Sequence, residues 1–266
     1  MTTDDKTSEK TSNTGSATRL DDLRLVVSFL TRLPMGSFRH PGTLADAAWA
    51  FPLVGVIVGG IGAAVYYGAD VLDLPPVMMA LLAVAAMTLT TGALHEDGFA
   101  DVADGFGGGA TISRKLEIMR DSRIGSYGVL ALVFAVGLRV SAIAFIGPVD
   151  VAVGVILAAA IASRAVLPGL MASLPMARDD GLAHGAGRPS QTTATIALVI
   201  GAAGVFTVLP LELMLLVFMG GAAVLAGMLM AIIAKRQIGG QTGDVIGAAQ
   251  QLAEIAALIA AGAVLA

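Results

Sequence analysis

The chain has no cysteine, so it has neither disulfides nor Cys-ligated zinc. Its three histidines, His40, His95 and His184, are scattered and match no zinc spacing. Charge is scarce as well: 14% of the 266 residues are charged and 5% aromatic, against about 25% charged in a soluble domain. A water-facing surface is not built from so little charge. The deficit is filled by apolar residues, 56% of the chain, with a mean hydropathy of +0.83. Several apolar runs reach about 20 residues, the length that crosses a bilayer. The 33 glycines suit close helix contacts in lipid, where small residues let backbones approach. No G-x-x-x-x-G-K-[ST] occurs, which leaves ATP hydrolysis on a P-loop unsupported.

These features predict an all-α, polytopic integral membrane bundle of about seven transmembrane helices, plus an N-terminal amphipathic helix. Residues 1–18 are polar and Ser/Thr-rich and read as a disordered tail. Residues 19–266 read as a single transmembrane helical catalytic domain. Within it, 19–33 (RLDDLRLVVSFLTRL) alternates charge with apolar residues at helical spacing. It is expected either on the membrane surface or packed on the bundle, and stopped by Pro34. The spans are expected at 48–71, 76–94, 127–147, 151–174, 193–210, 211–234 and 244–266. Lysines and arginines test this layout: six precede the first span, four lie in 95–126, two in 175–192 and two in 235–243. The intervening short loops and the C-terminus have none. The alternation puts the N-terminus and the three longer loops in the cytoplasm and the C-terminus outside. Arg139 and Arg164 remain, both inside spans, where a charge costs about 2.5–3.5 kcal/mol or more. For Arg164 a structural ion pair and a clamp for an anionic substrate stand equally. Arg139 reads as structural or snorkelling. Glu254, buried in the last span, requires a polar partner.

The remaining charge is concentrated in Thr91 to Gly128, which holds six of the 20 acidic and four of the 16 basic residues. Asp97, Asp101 and Asp104 are spaced i, i+4, i+7 and share one helix face within about 60°. Three such carboxylates repel one another unless a cation neutralises them, and hard Mg²⁺ prefers oxygen ligands. The bland alternative, a solvated acidic loop, is weakened by the regular spacing next to an apolar run. Gly107 to Gly109 then lets the chain turn into a basic cluster, Arg114, Lys115, Arg120, Asp121, Ser122 and Arg123, suited to phosphate. A metal triad followed by cations is what transfer at a pyrophosphate needs. Gly240, Thr242 and Asp244 open the last span and read either as a helix cap or as a phosphate cradle. With Arg178 in the 175–192 loop, they complete the candidate substrate-binding set.

The run HEDGFADVADGFGGG, then RKLEIMRDSRIGSYGVLAL, resembles the signature of the cobalamin synthase (adenosylcobinamide-GDP ribazoletransferase) family. FLTRLP, FPLVGVIVG and GGQTGDVIGAAQQLAEI extend the likeness over most of the chain. The resemblance implies a Mg²⁺-dependent membrane enzyme that joins adenosylcobinamide-GDP to α-ribazole or its 5′-phosphate. It releases GMP and yields adenosylcobalamin or its phosphate. The expected partners are these substrates and the lipid bilayer of the bacterial plasma (inner) membrane. Nucleic acid is not among them, and a homo-oligomer is left open. Glu96 departs from the family pattern, which has an apolar residue there, and its role stays open. The aspartate spacing also resembles CDP-alcohol phosphotransferases, but Asp101 stands where that motif has Arg. Such a lipid enzyme is one alternative; a transporter using Arg139, Arg164 and Glu254 is another.

Overall fold

The computed structural model describes residues 18–38, 42–209 and 212–266, and among these the regular structure is helical. The first helix, α1 (Arg19–Leu30), opens with a reciprocal cap. The Thr18 hydroxyl accepts from the Asp21 amide, and the Asp21 carboxylate accepts from the Thr18 amide. Thr18, read as tail, is thus a cap, and the rest of the tail call, 1–17, lies outside the described residues. The helix stops short of the expected Pro34. Past Thr31 the Arg32 amide donates to the Thr90 carbonyl at 2.8 Å, which pulls the chain off its axis. Val26, Val27 and Leu30 are buried and Asp22 accepts from the Trp49 indole at 2.8 Å, so α1 packs on the bundle.

A short helix α2 (Leu44–Ala47) and a 3₁₀ turn lead into α3 (Phe51–Val71), and together they form the first apolar column. Next, α4 (Pro76–Thr91) ends where Gly92 and Ala93 both adopt the left-handed conformation, with φ 65° and 59°. A β-carbon there costs roughly 1–2 kcal/mol, which Ala93 bears. The turn is held because the Gly92 and Ala93 amides donate to the Leu89 and Thr88 carbonyls. Beyond it, α5 (Leu94–Gly108) leaves at 90°. The helix expected over 76–94 thus ends at Thr91, and it is long and apolar enough to cross only together with its bent continuation. The short α6 (Ile112–Ile118) follows.

The other columns are α7 (Ser126–Phe145), α8 (Val149–Ala165) continued by α9 (Leu167–Ser173), α11 (Gln191–Val208), α12 (Leu213–Ile238) and α13 (Gly243–Leu265). Between α9 and α11 lies the short α10 (Gly181–Ala186). Six helical columns are long and apolar enough to cross a membrane, and α4 with its bent continuation brings the number to seven. The protein is therefore an all-α, polytopic membrane bundle. The expected break at Pro210 falls outside the described residues. At the centre is α8, whose alanines 158, 159, 160 and 162 are all buried; small side chains let α3 and α13 approach it closely. The outer faces carry exposed Leu82, Phe134, Val199, Leu225 and Met228, the side chains that lipid solvates.

Candidate active site

The face carrying Asp97 and Asp101 is set by one contact. A β-carbon on Gly98 would lie 2.9 Å from the Asp244 Cα and carbonyl oxygen, so only glycine lets α5 cross the first turn of α13 this closely. The crossing brings Asp244 to the aspartates of α5. Asp97 is exposed, Asp101 half-buried and Asp104 buried. The Asp101 carboxyl is pushed up to about 7 by burial and by the Asp244, Asp97 and Asp104 carboxylates, partly offset by Arg178.

Ion pairs join this cluster to the other polar segments. Arg120 Nη2 donates to both oxygens of Asp180, at 2.5 and 2.7 Å. Arg178 lies 3.7 Å from Asp180 through Nε and 3.5 Å from Asp244 through Nη2. Its Nη1 is buried with no partner. The three polar segments expected on one side of the membrane thus meet at one end of the bundle. The Gly240–Thr242 stretch reads differently from a phosphate cradle. A β-carbon on Gly240 would lie 2.2 Å from the Pro175 carbonyl, and the Gln241 backbone pairs with Pro175 and Ala177. Thr242, 1% exposed, caps α13 by accepting from the Val245 amide. Gly240 and Thr242 are therefore packing and capping residues, and of that trio Asp244 alone reaches the charged cluster.

Asp104 also departs from its expected place. Its two oxygens accept from the Gly125 and Gly128 amides, at 2.7 and 2.9 Å, which pins the start of α7 to α5. It borders a polar cleft of about 350 Å³ lined by Arg114, Glu117, Asp121, Arg123 and Tyr127. Arg114 pairs with Glu117 at 2.8 Å, and Lys115 donates to Gln237. Arg123 grips Asp121 through Nε and Nη2, at 3.0 and 2.7 Å, and holds that carboxyl down to about 2. Ser122 is exposed beside them.

Arg139 and Arg164 belong to a separate, buried network. Arg139 donates to Glu96 at 2.9 Å and to Gln251 at 3.0 Å, and its Nε lies 3.2 Å from Glu254. The other Glu254 oxygen receives Gln250 at 2.6 Å and lies 3.5 Å from Arg164. Glu96 also accepts from the Thr88 hydroxyl at 3.0 Å. The open role of Glu96 is thereby filled: it is the counter-charge of Arg139. Arg164, 2% exposed and paired with Glu254, stands as a structural cation and not as an open clamp. Arg139 is paired, not snorkelling.

A family model described as cobalamin-5-phosphate synthase matches residues 22–262. The chain belongs to the cobalamin-5-phosphate synthase family. Adenosylcobinamide-GDP ribazoletransferase of Bradyrhizobium diazoefficiens is 48% identical over 250 residues, 91% of this chain and 93% of the relative. Proteins of the same name from Mesorhizobium japonicum and Azorhizobium caulinodans are 46% and 45% identical, covering 92% and 90% of this chain and 94% of each relative. No solved structure matches the chain.

For this cobalamin-5-phosphate synthase family chain, the donor set fits Mg²⁺ in kind. Asp97, Asp101 and Asp244 offer hard oxygens that repel one another, an effect that Arg178 partly offsets at Asp101. Among the described residues no three Asp, Glu or His groups are already gathered round a metal position. Mg²⁺ needs fewer, commonly one or two carboxylates plus waters and substrate phosphates. Sequence reasoning missed Asp180, Gln237 and Gln241, whose partners Arg120, Lys115 and Met171 lie far along the chain. It also passed over His95, whose buried Nε2 has no partner.

Proposed function

We propose that the protein is an adenosylcobinamide-GDP ribazoletransferase acting with Mg²⁺ at the cytoplasmic face of a bacterial inner membrane. Its near relatives carry that name across nine-tenths of the chain. The observation that carries the reading is the ion-pair chain Arg120–Asp180–Arg178–Asp244, which ends beside Asp97 and Asp101. It joins acidic and basic groups from three distant segments, the combination a pyrophosphate substrate requires.

Asp97 and Asp101, with Asp244 beside them, would hold the metal. When bound, Mg²⁺ supplies positive charge that neutralises the pyrophosphate and the departing GMP. Arg178, with a buried N–H unspent, receives a phosphate oxygen. Arg114, Lys115, Arg120 and Arg123, with Asp121 and Ser122, border the approach of the nucleotide. The ribazole hydroxyl attacks the phosphorus that carries cobinamide, forming the new P–O bond. The pyrophosphate P–O bond breaks, GMP departs with its electron pair, and the hydroxyl proton passes to a carboxylate of the cluster. Asp104 supports this geometry by holding α7 in place. The excess of lysine and arginine in the site-bearing segments supports the cytoplasmic orientation.

The test is GMP release from adenosylcobinamide-GDP with α-ribazole or its 5′-phosphate, with and without Mg²⁺. The expected outcome is release that EDTA abolishes and that Asp97→Asn or Asp101→Asn lowers by at least about a hundredfold. CDP-diacylglycerol is expected to be inert. Near-normal turnover by either variant at saturating Mg²⁺ would sink the metal assignment. No release by folded wild-type protein would sink the transferase reading.

A further inference from the structure

Beneath the crossing of α5 and α13 lies a cavity that the phosphate chemistry does not use. Its walls are Phe29, Leu44, Phe51, Leu167, Met171 and Ile246, drawn from five helices. It holds about 70 Å³ of water-accessible space, and about 560 Å³ of free volume when its open mouth is counted. One polar side chain, His95, stands among these apolar walls. His95 is 2% exposed and its Nε2 has no hydrogen-bond partner. A buried ring nitrogen left unpaired is costly, so a partner is expected from outside the chain. The cavity adjoins the charged cluster directly: Gly243 lines it, and Asp244 is the next residue. His95 itself lies two positions before Asp97.

The occupant this space selects is a flat, apolar aromatic ring with a single hydrogen-bonding nitrogen, bonded to a polar group that reaches the carboxylates. We propose that the cavity receives the benzimidazole ring of the ribazole substrate, and that His95 Nε2 donates to its unglycosylated nitrogen. The proposal rests on the transferase reading above and adds the docking site of the second substrate. Apolar walls take the ring and its methyl groups, while the ribose stays at the mouth beside Asp244. A purine in the same place would bury further ring nitrogens without partners, so the cavity also sets the base preference. His95 is a substrate-positioning residue, not a phosphate ligand.

The test uses purified full-length enzyme in lipid nanodiscs. Free 5,6-dimethylbenzimidazole is expected to compete with α-ribazole and not with adenosylcobinamide-GDP. Ala186→Phe, which fills the cavity wall, and His95→Phe, which removes the donor, should each raise KM for α-ribazole by about tenfold or more. KM for adenosylcobinamide-GDP should stay within about twofold. A purine riboside should bind more weakly to wild type, and that preference should shrink in His95→Phe. An unchanged ribazole KM in both variants of an active enzyme overturns the proposal. So does competition of the free base with the corrinoid, or a retained phospholipid that the base fails to displace. Should the variants not fold, the competition pattern of the wild type decides alone. Should the wild type release no GMP, the transferase reading fails separately. The base, titrated by its own fluorescence, still reports on the cavity, and no saturable binding overturns the site.

Discussion

Asp101 keeps its proton to about pH 7 because burial and three neighbouring carboxylates resist one more negative charge. In the unfolded chain the same group titrates near its ordinary 3.8. Between these two values the folded chain binds more protons than the unfolded one. Stability therefore falls as pH rises through that window, and the penalty is complete above about pH 7. Asp101→Asn removes it. In EDTA at about pH 8, Tm of this variant is expected about 2–4 °C above wild type, a gain kept small by solvent screening of a half-exposed group. The gain should vanish near about pH 4, and an equal gain at both pH values would contradict the cause given. The pairing of Asp97 with Asp101 was legible because helical spacing alone puts them on one face. Asp104 shares that face in sequence, yet what lies opposite is the free amide end of another helix, and spacing says nothing of that. Asp180 was invisible for a similar reason: Arg120, one of its two arginine partners, becomes its neighbour only after the chain has run through two more columns, α7 and α8 with α9.

The 90° bend after α4 decides how the acidic residues are presented, and it rests on two adjacent left-handed residues. The sequence TTGALHE runs on from an apolar stretch without a proline, so a continuous span was the natural reading. The spans themselves were legible because lipid requires long apolar helices and little else satisfies that requirement. What orients α5 is its close crossing with α13 at Gly98. Gly98→Val puts a side chain into the α13 backbone, so the helices must part and Asp244 must move away from Asp97 and Asp101. GMP formation is expected to fall about a hundredfold, the cost of roughly an ångström of misplacement, while membrane insertion stays normal. Full turnover by this variant, with expression equal to wild type, would show that the crossing does not set the site.

Across the whole molecule, charge alternation predicts seven crossings, and the described residues hold six columns able to cross, or seven when α4 and its bent continuation count as one, with the polar segments at one end. The absence of cysteine makes the sidedness directly measurable, because a single introduced thiol has no background. In intact spheroplasts, Asp150→Cys is expected to react with a membrane-impermeant maleimide, and Ser122→Cys only after the membrane is opened. The reverse pattern would invert the orientation. One dimension of the bundle matters beyond topology. The 16 residues of α4 rise about 24 Å, against a hydrocarbon layer of about 30 Å. A span this short is matched by a thinner bilayer, and it ends at the turn into α5. Hydrophobic mismatch thereby couples membrane thickness to the posture of the acidic helix. Reconstituted in short-chain phosphatidylcholine the enzyme is expected to work faster than in long-chain lipid, with thickness acting as a mechanical load on the turn at Gly92.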